Sequence, residues 1–234
     1  MKKRGIVSKL LGGIILGGFL VFYIVSAILD LVSLANARTV DSYDMDISED
    51  GVSVEGNFYY LTNGHVLSVE HKICYVIPTG TEYFFTLFND SGSKCIFIRA
   101  DKDFAEEFYR QVDENEQNGS YAGAYLKGKV REMRPKVRYE LVDYANELAG
   151  EGCLAITSGN TFLFIDLTAK FQGILRLITV LFFMAGAVAI IFVIKRKANM
   201  PLSEAPRPIA IVVLLLVLIG IGLMMYTMTF LVMG

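Results

Sequence analysis

The chain has 234 residues, 53% of them hydrophobic, with a formal net charge of −2, two histidines and three cysteines. That length and apolar content suit one domain of ordinary size together with membrane helices. The near-neutral total hides an asymmetry: Asp30–Arg176 holds 14 basic and 23 acidic residues, net −9, which speaks against nucleic acid as a partner.

Lys2, Lys3, Arg4 and Lys9 precede the first uncharged apolar run, Leu10–Leu29. Two more runs, Leu177–Ile194 and Pro208–Gly234, follow the polar segment. Each has at least 18 residues without a charge, enough to cross the roughly 30 Å hydrocarbon core as a helix. Lys195, Arg196, Lys197 and Arg207 fill the link between the second and third runs, opposed only by Glu204. Short loops rich in Lys and Arg stay cytoplasmic. The predicted layout is therefore a cytoplasmic N-terminus over 1–9 and a first transmembrane helix over 10–34. An extracytoplasmic domain over 35–170 comes next, then a second helix over 171–194. A cytoplasmic loop over 195–207 and a third helix over 208–233 leave the C-terminus outside. Ala35-Asn36-Ala37 before Arg38 offers a competing signal-peptide cleavage site. The first run exceeds the usual apolar core of such signals, about 7–15 residues, and Asp30 ends it well upstream, which favours a retained anchor.

Gly13 and Gly17 lie four apart, as do Ala185 and Ala189, a spacing that lets helix backbones approach closely. They form a candidate helix-packing face, read first as packing within the chain and alternatively as a homo-oligomer contact. No ionisable residue other than Tyr lies inside a run, so an ion or proton path across the bilayer has no carrier here. Arg176, at the outer edge of the second helix, is expected to snorkel toward lipid phosphates.

Within the polar segment, Thr39–Val52 is acidic and irregular and reads as a tether. Phe58–Thr62, Asn63-Gly64 and His65–Val69 read as a hairpin with a type I′ turn. That register pairs Tyr60 with Leu67, Phe58 with Val69 and Glu55 with Lys72. The second strand runs on through Ile73–Ile77, and Pro78-Thr79-Gly80 then turns the chain into Tyr83–Phe88. Asn89–Gly92 turns it again into Lys94–Arg99. An acidic helix follows, capped by Asp101 or Asp103, with Glu106 completing a capping box and Phe104, Phe108 and Val112 as its buried stripe. After Asn115–Ser120 comes a strand over Ala124–Met133. Pro135 opens a second helix with Val137, Leu141, Ala145 and Leu148 inward and Gly150 as its stop. Cys153–Thr157 and Thr161–Asp166 form a last hairpin. The fold class is α+β: an extracytoplasmic antiparallel β-sheet or small barrel with two helices, anchored by three transmembrane helices.

Motifs for chemistry are sparse. His65 and His71 share a strand face six residues apart, roughly 20 Å at the strand rise, too far to share a metal. No HExxH, paired CxxC or phosphate-binding loop occurs, so neither catalytic residues nor a cofactor or metal is assigned. In a meander, Cys74 and Cys95 flank the same middle strand. Two inter-strand spacings then part their Cα atoms by about 10 Å, too far for a bridge. Cys153 is left to pair with either, or all three serve as small core residues. Lys127, Lys129 and Arg131 alternate on one strand face, and Arg134, Lys136 and Arg138 extend the positive stretch. This is either an anion or partner patch, or a solvated face balanced by the acidic helix.

Tyr125–Arg131, with Gly128 inside it after a β-rich meander and a helix, resembles the strands of oligonucleotide-binding-type barrels. The whole layout is similar to uncharacterised bacterial envelope membrane proteins with such an external domain between helices one and two. The second helix and final hairpin depart from a minimal five-stranded barrel. The resemblance implies a binding or scaffolding module rather than an enzyme, and transfers no site residues. The expected function is a membrane-anchored, non-enzymatic binding, sensing or scaffolding protein of the cell envelope, in contact with the lipid bilayer and a membrane or envelope protein. The alternative is an accessory subunit of a transport or secretion complex.

Overall fold

The computed structural model describes residues 2–60, 66–73, 77–118, 122–196, 215, 218–220 and 222. These divide into two compact units, Val32–Lys170 and the segments within Met1–Leu31 and Phe171–Val232. In chain order the elements are α1 (Lys2–Ala35), β1 (Arg38–Thr39), β2 (Ser53–Tyr60), β3 (Leu67–Ile73), β4 (Ile77–Phe88), β5 (Lys94–Ala100) and α2 (Lys102–Asn118). They continue with β6 (Ala122–Glu132), α3 (Pro135–Gly150), β7 (Leu154–Ala155), β8 (Thr157–Ser158), β9 (Thr161–Asp166) and α4 (Ala169–Arg196).

The first unit is mixed α and β, built on one large sheet in the order β1-β2-β6-β9-β5-β4-β3. Tyr59 of β2 also pairs with Phe88 of β4, so β2, β6, β9, β5 and β4 close into a ring. Closure leaves those five strands without a free edge. The sheet is not wholly antiparallel, because β5 runs parallel to β9 and to β7, and β1 parallel to β2.

One face of the ring carries Val54, Phe58, Phe85, Leu87, Ile96, Ile98, Leu126, Val130, Leu163 and Ile165, all buried. Helix α2 packs Ala105 and Phe108 on that cluster, with the Phe108 ring 4.5 Å from Phe85. The other face presents Phe84, Phe97 and Phe164 to Val137, Leu141 and Ala145 of α3. Each such fully buried large apolar side chain contributes about 1.5–3 kcal/mol. Period-2 alternation on the strands and the i, i+4 stripe of α3 produce this sandwich of helix, ring and helix. Gly128 makes the ring's curvature possible: a Cβ there would lie 2.5 Å from Ile165 Cγ2 and 2.8 Å from the Asp166 carbonyl oxygen.

Several expected elements match. Helix α3 starts at Pro135, buries Val137, Leu141, Ala145 and Leu148 and ends at Gly150. The β4–β5 hairpin turns at Asn89, whose side chain accepts from the Lys94 amide. Asp101 caps α2 by accepting from the Phe104 amide, while Glu106 pairs instead with Lys102. The Val112 side chain lies outside the described residues.

The Asn63-Gly64 hairpin is corrected. Residues 61–65 are outside the description, but their flanks do not pair with each other. Leu67 lies opposite Phe84 and Val69 opposite Glu82, while Phe58 lies opposite Ala124. Since β5 takes one edge of β4, both β2 and β3 meet its other edge, one after the other. Alternation set which side chains face inward, but it carries no information about the partner strand.

The turn expected at Pro78-Thr79-Gly80 is instead part of β4. Lys72 pairs with Pro78 and His71 with Gly80, leaving Thr79 as a bulge. Proline is tolerated there, near the start of β4 and beside the bulge, and the β5 pairing begins only at Tyr83. Residues 74–76, and Cys74 with them, lie outside the description, as does His65.

The Thr39–Val52 tether is also corrected. Val40, Met45 and Ile47 are buried in the ring's core, and Val52 packs against it. Its backbone is tied down too, with Gly51 donating to Val130 and Val130 to Val52. Irregular spacing of its apolar residues hides such a plug from any periodic pattern.

The second unit holds α1 through Leu31 and α4 from Phe171. Gly173 is the close approach between these helices: a Cβ there would meet the Leu31 side chain at 3.2 Å and the Ala27 carbonyl oxygen at 3.6 Å. Gly17 meets nothing within 4 Å and Ala185 is exposed, so the described helix contact lies elsewhere. The side chains at Ala189 and the surroundings of Gly13 are outside the description. Among the described residues, one helix window, Ala169–Gly186, is long and apolar enough to cross a membrane, and Leu20–Ala35 is a shorter apolar stretch.

Candidate functional site

Lys127, Lys129 and Arg131 leave β6 on one face, while Leu126, Gly128 and Val130 between them are buried. The structure distributes the six basic residues rather than gathering them. Lys127 pairs with Glu55 at 2.7 Å, its direct partner on β2. Lys129 lies between Ser53 of β2 and Asp166 of β9 and is itself engaged. Arg138 donates to the Asn160 carbonyl oxygen at 3.0 Å, beside the Tyr139 ring. Lys136 is exposed on the first turn of α3. Arg131 and Arg134 enter a common network.

That network is the most heavily charged interior of the sheet unit. Arg99 and Asp166 face each other across the parallel β5–β9 pair, both 0% exposed. Arg99 Nη2 donates to Asp166 Oδ2 at 2.5 Å and Nε to Oδ1 at 3.2 Å, the bidentate fork that guanidinium geometry favours. The guanidinium also lies 5.3 Å from the Phe164 ring centroid. Arg131 Nε adds a contact to Asp166 Oδ2 at 3.2 Å. On the other side, Glu82 Oε1 is 3.4 Å from Arg99 Nη1, an ion pair without hydrogen-bond alignment, and Glu82 Oε2 accepts from Arg134 Nη2 at 3.3 Å. Thr168 donates to Asp166 Oδ1 through both its amide and its hydroxyl, binding the end of β9 to the start of α4.

Three guanidiniums thus share two carboxylates. Burial alone would raise the Asp166 carboxyl, but Arg99 and Arg131 outweigh it and hold the group below the usual range. Burial likewise opposes the Arg99 charge, and Asp166 and Glu82 overcome it. Arg134 is pushed down by burial, with Glu82 compensating only in part against repulsion from Arg99. The chemistry available here is electrostatic locking: every acid and base is already committed to another. Sequence reasoning passed over Glu82, Arg99 and Asp166. Their trace was a charge ending an otherwise apolar strand, Cys95–Ile98 before Arg99 and Phe162–Ile165 before Asp166.

The helical unit has its own buried polar cluster. Arg176, 3% exposed, donates through Nη2 to Asp30 Oδ2 at 2.6 Å, and Asp30 is 6% exposed. Arg176 Nη1 reaches Ser26 Oγ at 3.2 Å and Nε reaches the Gln172 carbonyl oxygen at 3.3 Å. Ser26 in turn donates to the Tyr23 carbonyl oxygen. Ser26 and Asp30 lie four apart on α1, and Gln172 and Arg176 four apart on α4, so each pair occupies one helix face. The outward snorkel expected of Arg176 is replaced by this inward pair, because a carboxylate on the neighbouring helix compensates the charge directly.

A third cluster places Cys95 and Cys153 together among Phe88 and Leu148. Both are free thiols, and both are buried. Burial pushes both thiols up, Cys95 most strongly. Among the described residues no group of three or more His, Cys, Asp or Glu is placed to hold a metal ion. Comparison with protein-family models, with curated proteins and with solved structures finds no match to this chain.

Proposed function

We propose that this is a membrane-anchored, non-enzymatic protein of the cell envelope, whose sheet unit binds, senses or scaffolds a partner outside the cytoplasm. The observation that carries the membrane reading is the inverted burial of the helical unit. Asp30, Gln172, Arg176 and Thr179 are buried, while Phe22 is 55%, Leu29 62% and Leu181 62% exposed. Water would penalise that arrangement at every exposed apolar side chain, whereas hydrocarbon favours it. The reading of three spans comes from the uncharged runs at 10–29, 177–194 and 208–234, and that of a sheet unit and C-terminus outside from the Lys- and Arg-rich segments that flank them.

A binding module rather than an enzyme is supported by the state of the ionisable groups. Glu82, Arg99 and Asp166 neutralise one another inside the fold, and the Cys95 and Cys153 thiols are held protonated by burial. The barrel resemblance is supported by the closed five-strand ring, its parallel β5–β9 pair and a helix, α2, between β5 and β6. Helix α3 covers the outer face of β4, β5 and β9, a further reason to look for partners other than nucleic acid. The accessory-subunit reading is favoured by one observation, the open space at Gly17 on α1.

Co-purification of the full-length chain in mild detergent tests the choice. An envelope ligand or protein retained by the sheet unit after the helices are cut away supports binding by that unit. Stoichiometric membrane partners lost on Gly17→Leu support the subunit reading. Release of the chain from membranes by alkaline carbonate would overturn both.

A further inference from the structure

We infer that Cys95 and Cys153 are the two ends of a structural disulfide that fastens the chain after α3 to β5. The inference rests on the proposed extracytoplasmic location of the sheet unit, since disulfides persist on the oxidising side of a membrane.

The geometry comes from the parallel β5–β7 pair. Cys95 lies opposite Ala155, and the Ile156 amide donates to the Cys95 carbonyl oxygen at 2.8 Å. Cys153 stands two residues before Ala155, just ahead of β7, and the fold brings it beside Cys95. There they share one small buried cluster. Strand β7 is only two residues long, and Cys153 sits outside it, just past the end of α3. A short approach of one sulfur to the other therefore disturbs little ladder.

The pairing also suits the connectivity. A bond between residues 95 and 153 closes a loop that contains α2, β6 and α3, and cross-links over long loops restrict the unfolded chain most. Burial raises both thiols, so neither is a ready nucleophile once the fold is complete. The bond must then form before β7 docks, by exchange with an external disulfide. One cysteine thiolate attacks that disulfide and expels a thiol. The second cysteine attacks the mixed disulfide and expels the other. Two electrons and two protons leave the protein, two thiols are produced, and the Cys95–Cys153 bond is sealed from later reductants.

The test uses full-length protein in right-side-out membrane vesicles, quenched with N-ethylmaleimide before detergent is added. Peptide mass mapping without reductant is expected to show Cys95 joined to Cys153 and a single alkylated thiol at Cys74. All three thiols should be alkylated after unfolding and reduction. A membrane-impermeant lysine reagent, read at the exposed Lys136, reports sidedness in the same sample. Three free thiols with Lys136 labelled would overturn the bridge and leave the topology standing. Three free thiols with Lys136 protected until the vesicles are opened would overturn the topology, and the bridge with it. A bond from Cys74 to either cysteine would overturn the pairing. As a second measurement, reductant under mild denaturant should speed proteolysis of the sheet unit by tenfold or more. The Cys95→Ala/Cys153→Ala double variant should be insensitive to reductant, and equal sensitivity of both proteins would sink the inference.

Discussion

The two units of this chain bury opposite chemistries. The sheet unit hides Phe85, Leu87, Ile96, Ile98 and Leu163 and turns Lys127, Lys136 and Glu140 outward. The helical unit hides Asp30, Gln172 and Arg176 and turns Phe22, Leu29 and Leu181 outward. Both nonetheless contain a buried arginine–aspartate pair, Arg99–Asp166 in one and Arg176–Asp30 in the other. In the sheet unit the pair is an exception within an apolar core, surrounded by the further charges of Glu82, Arg131 and Arg134. In the helical unit the polar residues share the interior with Tyr23, Ala27 and Val180. The lesson is that burial fraction alone does not identify an environment; which side chains are left outside does.

That contrast can be broken first at Asp166. Asp166→Ala strips a partner from Arg99, Arg131 and Thr168 at once, and uncompensated buried charge costs about 3–5 kcal/mol. Thermal unfolding of the sheet unit should show that loss, whereas the α1–α4 contact should persist by cysteine cross-linking. Equal loss in both units would show that Asp166 supports more than the sheet unit.

Next comes Asp30→Ala, which leaves Arg176 buried against Ser26 and Gln172 without a counter-charge. A lone charge at membrane depth costs about 2.5–3.5 kcal/mol on insertion scales. The yield of inserted protein should fall and be largely restored by adding Arg176→Leu. Failure of the double variant to recover would mean that the pair does more than neutralise itself.

Gly128→Ala is expected to cost about 1–3 kcal/mol, because its Cβ would overlap Ile165 Cγ2 and the Asp166 carbonyl. Chemical denaturation of the sheet unit should report it.

Acid gives a graded version of the Asp166 experiment. A carboxyl held below its unfolded value of about 3.9 contributes full stability above that pH and loses it as pH falls through the folded value. Sheet-unit stability should therefore drop below about pH 4. Asp166→Asn should remove that part of the slope. The smallest effect belongs to Arg110→Ala. Although Arg110 contacts Glu107 and Glu114, the cluster is solvated on α2, and the unfolding midpoint should not move measurably.

Much of the sheet unit was legible in the residues. Helix α3 needs only Pro135, a four-residue apolar stripe and Gly150, all local signals. The β4–β5 hairpin needs only Asn89–Gly92 between two apolar strands. The Lys127–Glu55 pair and the α3 cover over Phe97 were not legible, because they join segments distant in sequence. Of the candidate basic patch, the alternation on β6 was readable, but not the carboxylates that would claim Arg131 and Arg134.

The sequence by itself determined the elements whose cause is periodic or local: uncharged runs, inward and outward faces, caps and turns. Those follow from one residue's chemistry and its near neighbours. Tertiary structure alone decided that β2 joins β6 rather than β3, that Thr39–Val52 plugs a core, and that Arg176 turns inward to Asp30. Strand partners, core plugs and buried ion pairs are settled by competition among distant segments for the same edge, cavity or charge, and no local pattern records the winner.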